Sequence, residues 1–379
     1  MTSASYSSAA VEPFEGLRIR GVAKTFGTDT TVLNEIDLDV HPGELISLVG
    51  SSGTGKSTLL RIIAGLEEPS AGRVTYAGQP LERGSVGVVF QRPILYPHLS
   101  VKDNILFPTR LGAFAGRVDM DYYRELLEAL KLEGLEARKP SQLSGGQAQR
   151  VGIARALIRR APVVLFDEPL ASVDEQMSAS IRADIVRLHE RYGFTGLYVT
   201  HDQNEALMLG QRVAVMDAGY LVQVDTPERL LAHPHTLQVA KLMAAPALNL
   251  LALEDSESLP AGCELAIRAT ALCLVAADVA HALPVQVLGS RHLVGGMLYR
   301  ARLLEAVSLP LESQRASADS ELSARMYARV RAGQELEFFI PDAQGTSLIG
   351  ASLSVGEQVH LGVAAERCFL FSDGKRFYL

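Results

Sequence analysis

The chain has 379 residues, and at roughly 150 residues per domain this length predicts two or three domains. Hydrophobic residues make up 47% and charged residues 21%, so the chain can bury a sizeable core and is not disordered overall. The formal net charge of -7 argues against broad nucleic-acid binding, and 3 scattered cysteines argue against a disulfide framework or a zinc site.

The first two thirds of the sequence alternate between predicted strands and helices. Residues 1–15 are small and polar and predict a flexible tail without the features of a secretory signal. Helices are predicted after Gly55, between about residues 92 and 160, and at IRADIVRLHERYG. Strands are predicted at LRIRGVAKTF, IDLDV, ELISLVG, VVLFD and GLYVTH. This alternation predicts an α/β fold with a mostly parallel sheet, and no apolar run approaches the roughly 18 residues of a membrane span.

The last third of the sequence predicts a second, all-β domain. Short strand-like segments are separated by turn residues, which favours a small antiparallel barrel. The segment 308–324 is polar and predicts a long exposed loop. The predicted organisation is therefore a tail over residues 1–15, an α/β domain over 16–237 with a helical part at about 92–160, and a β domain over 238–379.

The strongest motif is the string GSSGTGKS, which lies between a predicted strand and a predicted helix. Glycines let consecutive backbone N–H groups curl around a phosphate, and the following helix adds positive charge at its N-terminus. We expect Lys56 to reach the β- and γ-phosphates and the Ser57 hydroxyl to bind Mg2+. The predicted phosphate-binding residues are Gly50, Ser51, Ser52, Gly53, Thr54, Gly55, Lys56, Ser57 and Thr58.

Two carboxylates follow the apolar strand in VVLFDEP. Such a strand can simply end in a charged turn. Beside a phosphate loop, however, Asp167 can hold the Mg2+ hydration shell and Glu168 can polarise an attacking water.

The string LSGGQAQR places a serine and two glycines directly before a predicted helix. A Gly-rich capping turn would explain the glycines alone. A hydroxyl and backbone N–H groups at a helix N-terminus also form an anion site, which a chain with a complete phosphate loop does not need for itself. We therefore expect Ser144, Gly145, Gly146 and Gln147 to bind a nucleotide held by another subunit.

Along the chain, the phosphate loop, then LSGGQ and then VVLFDEP resemble the motifs of the ATP-binding cassette ATPases. The resemblance covers residues 16–237. It implies that Gln91 is the Q-loop glutamine, that Asp174 crosses a dimer interface, and that His201 contacts the γ-phosphate. It also implies that Phe26 stacks on adenine, although a phenylalanine in that strand could equally belong to the core.

The resemblance implies ATP and Mg2+ as cofactors. Lys56, Gln91, Glu168 and His201 would act in hydrolysis, and Ser57, Gln91 and Asp167 would hold the metal. Two cassettes, identical or paralogous, would sandwich two nucleotides head to tail.

The region around Gln91 and the C-terminal third resemble the import ATPases of the maltose and glycerol-phosphate type, whose C-terminal domain is an OB-like, or TOBE, domain. The resemblance implies separate transmembrane permease subunits, a second ATPase subunit and, indirectly, an extracytoplasmic solute-binding protein, at the cytoplasmic face of the membrane. It leaves polyamine, iron or sulfate open as solutes instead of sugar, polyol or glycerol phosphate. A soluble ATPase acting on nucleic acid is the less favoured alternative, and a regulatory role of the β domain would be additional.

Overall fold

The computed structural model describes residues 14–27, 29–110, 118–254, 259, 262–311, 326–342 and 353–377. The chain divides into two compact units, the first ending at Pro227 and the second beginning at Glu228. The boundary predicted from the sequence, between residues 237 and 238, lies ten residues later. The difference arises because Thr236 forms a β-bridge to Lys375 and the Leu237 N–H donates to the Gly374 carbonyl, so this stretch belongs with the second unit. Most of the predicted N-terminal tail lies outside the described residues.

The first unit combines two sheets with six helices in its described part. Its strands are β1 (Leu17–Phe26), β2 (Thr30–Val40), β3 (Leu45–Val49), β4 (Ala71–Tyr76), β5 (Gln79–Pro80), β6 (Gly87–Val89), β7 (Val163–Asp167), β8 (Thr195–Thr200), β9 (Arg212–Asp217) and β10 (Tyr220–Asp225). Its helices are α1 (Lys56–Ile63), α2 (Val101–Leu106), α3 (Met120–Ala129), α4 (Gly145–Leu157), α5 (Glu175–Tyr192) and α6 (Gln203–Leu209). Short 3-10 helices cover Phe107–Arg110 and Pro140–Gln142.

The larger sheet has six strands in the order β10-β9-β3-β8-β7-β6. Its pairs are parallel except for β10 with β9, which confirms the predicted α/β fold. Successive side chains of β7 point to opposite faces: Val164 and Phe166 join the core under α2 to α5, whereas Val163 and Leu165 join the core under α1 and β2. Both faces of this strand are therefore covered, and Asp167 lies at its carboxyl end.

A buried ion pair joins α4 to α5. The Arg150 guanidinium, 8% exposed, lies 2.9 Å from the carboxylate of Asp184, which is fully buried, and also donates to Ser180 at 2.8 Å. Arg187 and Lys131 pair with the other carboxylate oxygen from the solvent side. The pair fixes the axial position of α4 relative to α5.

An Asp184→Ala variant is expected to lose about 3–5 kcal/mol of unfolding free energy, because it leaves the Arg150 charge buried without its partner. The matched control is Lys131→Ala, which removes a half-exposed cation from the same carboxylate and should cost less than about 1 kcal/mol. Urea unfolding of both variants measures the difference. Equal losses would contradict the assignment of Arg150 and Asp184 as the pair that joins these helices.

The second unit is predominantly β, as predicted. Helix α7 (Pro227–Ala232) starts at the last residue of the first unit, and α8 (Leu237–Leu242) follows it. The strands are β11 (Leu248–Ala252), β12 (Glu264–Arg268), β13 (Cys273–Val275), β14 (Leu283–Leu293), β15 (Gly296–Leu303), β16 (Val307–Leu311), β17 (Met326–Val330), β18 (Glu335–Pro341), β19 (Gln358–Gly362), β20 (Cys368–Ser372) and β21 (Lys375–Phe377). They form antiparallel sheets of four, five and two strands, which is consistent with an OB-like domain. The loop predicted over 308–324 begins instead as strand β16, and residues 312–324 lie outside the described part of the chain.

Candidate functional site

The phosphate loop joins β3 to α1, as the motif requires. Gly55 is the N-cap of α1 with φ of 97°, a left-handed conformation that favours glycine. A Cβ atom at Gly55 would lie 2.6 Å from Leu33 Cδ2 and 2.8 Å from the Val32 carbonyl, so strand β2 packs directly against the loop. The Thr54 hydroxyl donates to the Ser51 carbonyl at 3.0 Å and closes the turn. The loop therefore has a rigid backbone that a side chain at Gly55 would disrupt.

Lys56 begins α1 and is only 5% exposed. Its ammonium donates to the carbonyls of Gly50 at 2.7 Å and Ser51 at 2.9 Å. Burial lowers the pKa of this ammonium, while the nearby carboxylates of Glu168 and Asp167 act in the opposite direction. The positive charge of Lys56 is thus held inside the loop and close to the end of β7.

Ser57 and Asp167 meet across the site. The Ser57 hydroxyl donates to Asp167 Oδ1 at 3.4 Å, although 110 positions separate the two residues in sequence. Burial raises the pKa of the Asp167 carboxyl, and the hydrogen bond from Ser57 opposes that rise. Two hard oxygen atoms are therefore adjacent where the motifs predict Mg2+, and oxygens of this kind suit that cation.

Glu168 and His201 form the second pair of the site. Glu168 Oε2 lies 3.1 Å from His201 Nδ1, and the His201 side chain is 60% exposed. Glu168 has φ of 44°, a conformation that costs a non-glycine residue about 1–3 kcal/mol. Its N–H donates to the Val199 carbonyl at 3.0 Å and its carbonyl accepts from the Ala171 N–H at 3.2 Å. These bonds hold the strained backbone and fix the direction of the carboxylate.

Gln91 and Phe26, two further predicted site residues, make contacts with other residues. Gln91 follows β6 and is exposed, and its carbonyl accepts a hydrogen bond from the Ser172 hydroxyl at 3.0 Å. Phe26 ends β1 and is 43% exposed, with the Lys24 ammonium 4.8 Å from its ring centroid. Phe26 is therefore a surface ring and not a core residue, and part of the ring is accessible to solvent.

The serine and glycines of LSGGQ begin α4, where Ser144 is the N-cap. Its hydroxyl accepts from the Gln147 N–H at 3.2 Å, and the Gln147 side chain accepts from the Ser144 N–H at 3.0 Å. A Cβ atom at Gly146 would lie 2.5 Å from Met177 Cγ, so α5 approaches α4 closely here. Asp174 caps α5 by accepting from the Met177 N–H at 2.9 Å. The ends of α4 and α5 are therefore in contact through Met177.

Two groups of predicted residues result. Residues at the ends of β3, β7 and β8 lie together, namely Lys56, Ser57, Asp167, Glu168 and His201. Ser144, Gly145, Gly146, Gln147 and Asp174 form a second group at the starts of α4 and α5. Within the described residues, no hydrogen bond or ion pair joins the second group to the first.

Comparison with known proteins decides the family. Residues 33–171 match the family described as ABC transporter. A segment of 266 residues, 67% of this chain, is 42% identical to the sn-glycerol-3-phosphate import ATP-binding protein UgpC of Salmonella typhi and covers 74% of that relative. The chain belongs to the ATP-binding cassette ATPases.

Two further similarities agree with this assignment. The sn-glycerol-3-phosphate import ATP-binding protein UgpC 1 of Rhizobium johnstonii is 45% identical over 241 residues, which are 62% of this chain and 65% of that relative. The solved structure of cbiO1 from Clostridium perfringens, described as part of the ABC transporter complex cbiONQ, is 28% identical with a TM-score of 0.52. It covers 57% of this chain and 90% of that structure. The family match at residues 33–171 lies within the first unit.

The structure adds site residues that the sequence analysis missed. Glu205 is 8% exposed and accepts hydrogen bonds from the hydroxyls of Tyr198 and Thr200, directly beside His201. In the sequence, a glutamate in the polar segment after VTHD has the appearance of a solvated residue, so only the tertiary structure reveals that it is buried. None of the described helices of this cassette ATPase has the length and apolar character required to cross a membrane.

Proposed function

We propose that this cassette ATPase is the ATP-hydrolysing subunit of a bacterial importer for sugar, polyol or glycerol phosphate. The observation that carries the proposal is the convergence of Lys56, the Ser57–Asp167 pair and the Glu168–His201 pair at the ends of adjacent parallel strands. Ligands of α/β proteins bind at this edge of the sheet. The names of the relatives that it resembles support the solute class.

The residues of the first group suit MgATP. The backbone of the loop between Gly50 and Ser57 provides N–H groups for the phosphates, and Lys56 carries the charge that binds them. Mg2+ would be held by Ser57, Gln91 and Asp167. It would neutralise the charge that develops on the phosphates. Phe26 stacks on the adenine ring.

Hydrolysis needs a water that is oriented and deprotonated. Glu168 is placed to accept the proton of that water, because its backbone is fixed and its carboxylate is partly exposed. His201 orients Glu168 through the 3.1 Å contact. Its exposed ring would contact the γ-phosphate. Lys56 stabilises the negative charge on the leaving phosphate oxygens.

The second group serves a nucleotide bound to another cassette subunit. The N-terminus of α4 presents Ser144 and two glycines as anion donors, and they are not engaged with the phosphate loop of the same chain within the described residues. Two chains in a head-to-tail dimer would complete both sites. Asp174 lies beside this group and would cross the interface.

A groove next to Gln91 supports a permease as partner. It has a volume of about 350 Å³ and lies between β6 and α4. Exposed apolar residues line it: Ile94 is 66% exposed and Tyr96 is 39% exposed. Arg155 also lines the groove, and burial lowers the pKa of its guanidinium. We propose that a cytoplasmic segment of a transmembrane permease occupies the groove, which would hold the chain at the cytoplasmic face of the membrane and link it indirectly to an extracytoplasmic solute-binding protein.

Purification of the tagged chain from its native membranes in mild detergent tests this proposal. We expect permease subunits to copurify with the wild-type chain and to be lost from an Ile94→Asp variant, which changes the groove and leaves the nucleotide site intact. Val294→Asp is the matched control, because this valine is fully exposed in the second unit. Recovery of ribosomes or DNA-repair proteins in place of permeases would contradict the importer function, and permeases of another solute class would change the assigned solute.

A further inference from the structure

The turn that carries His201 is held by its neighbours on both sides. Thr200, which is 2% exposed, uses its hydroxyl oxygen to accept the Asp202 N–H at 3.0 Å. The Asp202 carboxylate in turn caps α6 by accepting the N–H groups of Asn204 at 2.7 Å and Glu205 at 3.2 Å. The backbone on either side of His201 is therefore fixed, while its side chain remains exposed.

The Thr200 hydroxyl is itself held by the buried carboxylate of Glu205. Thr200 Oγ1 donates to Glu205 Oε2 at 2.8 Å, so this one hydroxyl donates to the carboxylate and accepts from the turn. Tyr198 donates to the same oxygen at 3.1 Å, and the Arg182 guanidinium lies 3.8 Å from the other. A buried carboxylate requires such donors. Glu205 therefore holds the Thr200 hydroxyl in place, and this hydroxyl holds the turn.

We infer that Thr200, fixed by Glu205, is a positioning residue that sets His201 opposite Glu168. The inference rests on the proposed ATP hydrolysis and adds residues that act through His201. A displacement of about 1 Å of a catalytic group can cost about 100-fold in rate. Loss of the Thr200 hydroxyl should thus reduce catalysis while nucleotide binding, which depends on the phosphate loop, is retained.

Tyr198 provides the matched control. Its hydroxyl bonds the same Glu205 oxygen, but it does not bond the Asp202 N–H. A Tyr198→Phe variant therefore removes one hydrogen bond to the Glu205 carboxylate and keeps the hydrogen bond from the Asp202 N–H to the Thr200 hydroxyl. If Glu205 had only a structural role, Tyr198→Phe and Thr200→Val would have similar effects.

The test compares kcat and KM for ATP in the full-length Thr200→Val, Thr200→Ser and Tyr198→Phe variants. We expect Thr200→Val to lower kcat by about 10- to 100-fold with KM nearly unchanged, because valine preserves the shape and removes the hydroxyl. Thr200→Ser should restore kcat, and Tyr198→Phe should keep it. A kcat for Thr200→Val equal to that of Tyr198→Phe, or a rise in KM without a fall in kcat, would overturn the inference.

A second variant covers the case in which Thr200→Val does not fold. Glu205→Ala removes the oxygen that accepts the hydrogen bond from the Thr200 hydroxyl, so it should lower kcat in the same direction with KM unchanged. An unchanged kcat would overturn the inference. A wild-type chain that hydrolyses no ATP would defeat the proposed function itself, whereas an active wild type with an unaffected Thr200→Val variant defeats only the positioning role.

Discussion

A Glu168→Gln variant is expected to bind ATP and to accumulate as a dimer while its ATP turnover falls by about 100-fold or more. Glutamine keeps the shape of the side chain but cannot accept a proton from water. Ser57 and Asp167 are unchanged, so the proposed metal ligands remain. Phosphate release, ATP affinity by titration calorimetry and dimer formation by size exclusion measure the three properties separately.

Glu175→Gln is the control for this variant. Glu175 lies in the first turn of α5 with a side chain that is 92% exposed, and the same substitution there should leave turnover unchanged. Turnover of Glu168→Gln near the wild-type value would show that Glu168 is not the base. Loss of ATP affinity along with turnover would instead assign Glu168 to binding.

A Lys56→Ala variant is expected to lose nucleotide binding or hydrolysis, with turnover reduced by about 100-fold or more. Its ammonium is the positive charge held closest to the loop carbonyls, and alanine removes that charge while keeping the start of α1. Calorimetric titration with ATP and phosphate release measure the effect. Normal binding together with normal turnover would contradict the phosphate-loop assignment.

Lys102→Ala is the matched control for Lys56→Ala. Lys102 is an exposed residue of α2, and its loss changes the net charge equally without touching the loop. Circular dichroism establishes that both variants are folded. Equal effects of the two substitutions would indicate a nonspecific charge effect.

Strand β7 and the phosphate loop could be predicted because local signals specify both. The apolar run VVLFD lies between Pro162 and Pro169, and the observed strand covers the same residues, Val163–Asp167. The spacing of glycines in the loop depends on backbone geometry that few other residues adopt. Neither prediction depends on contacts between residues that are distant in sequence.

Helix ends were harder to predict, because tertiary packing and capping determine them. The predicted helix at IRADIVRLHERYG begins six residues earlier, since Asp174 caps a polar first turn that has no apolar period. Helix α3 ends at Ala129, although the apolar spacing continues to residue 135. Lys131 has φ of 55°, which is not a helical conformation. Leu132 is nevertheless fully buried in the same core, so the apolar residues continue beyond the end of the helix.

The contacts within the site can be identified only from the three-dimensional structure. The sequence predicts that Asp167, Glu168 and His201 follow neighbouring strands, but not that Glu168 adopts a left-handed conformation or that Glu205 is buried beside the His201 turn. These features depend on hydrogen bonds between residues that are distant in sequence, such as Glu168 and Val199. Sequence patterns report residue type and spacing and do not report such pairings.

The most direct test of the shared nucleotide site is an experimental structure of the full-length Glu168→Gln variant with ATP and Mg2+. We predict two chains arranged head to tail, with each ATP between Lys56 of one chain and Ser144 of the other. A single chain that surrounds ATP by itself, or a dimer in which Ser144 is remote from both nucleotides, would contradict the proposed mechanism.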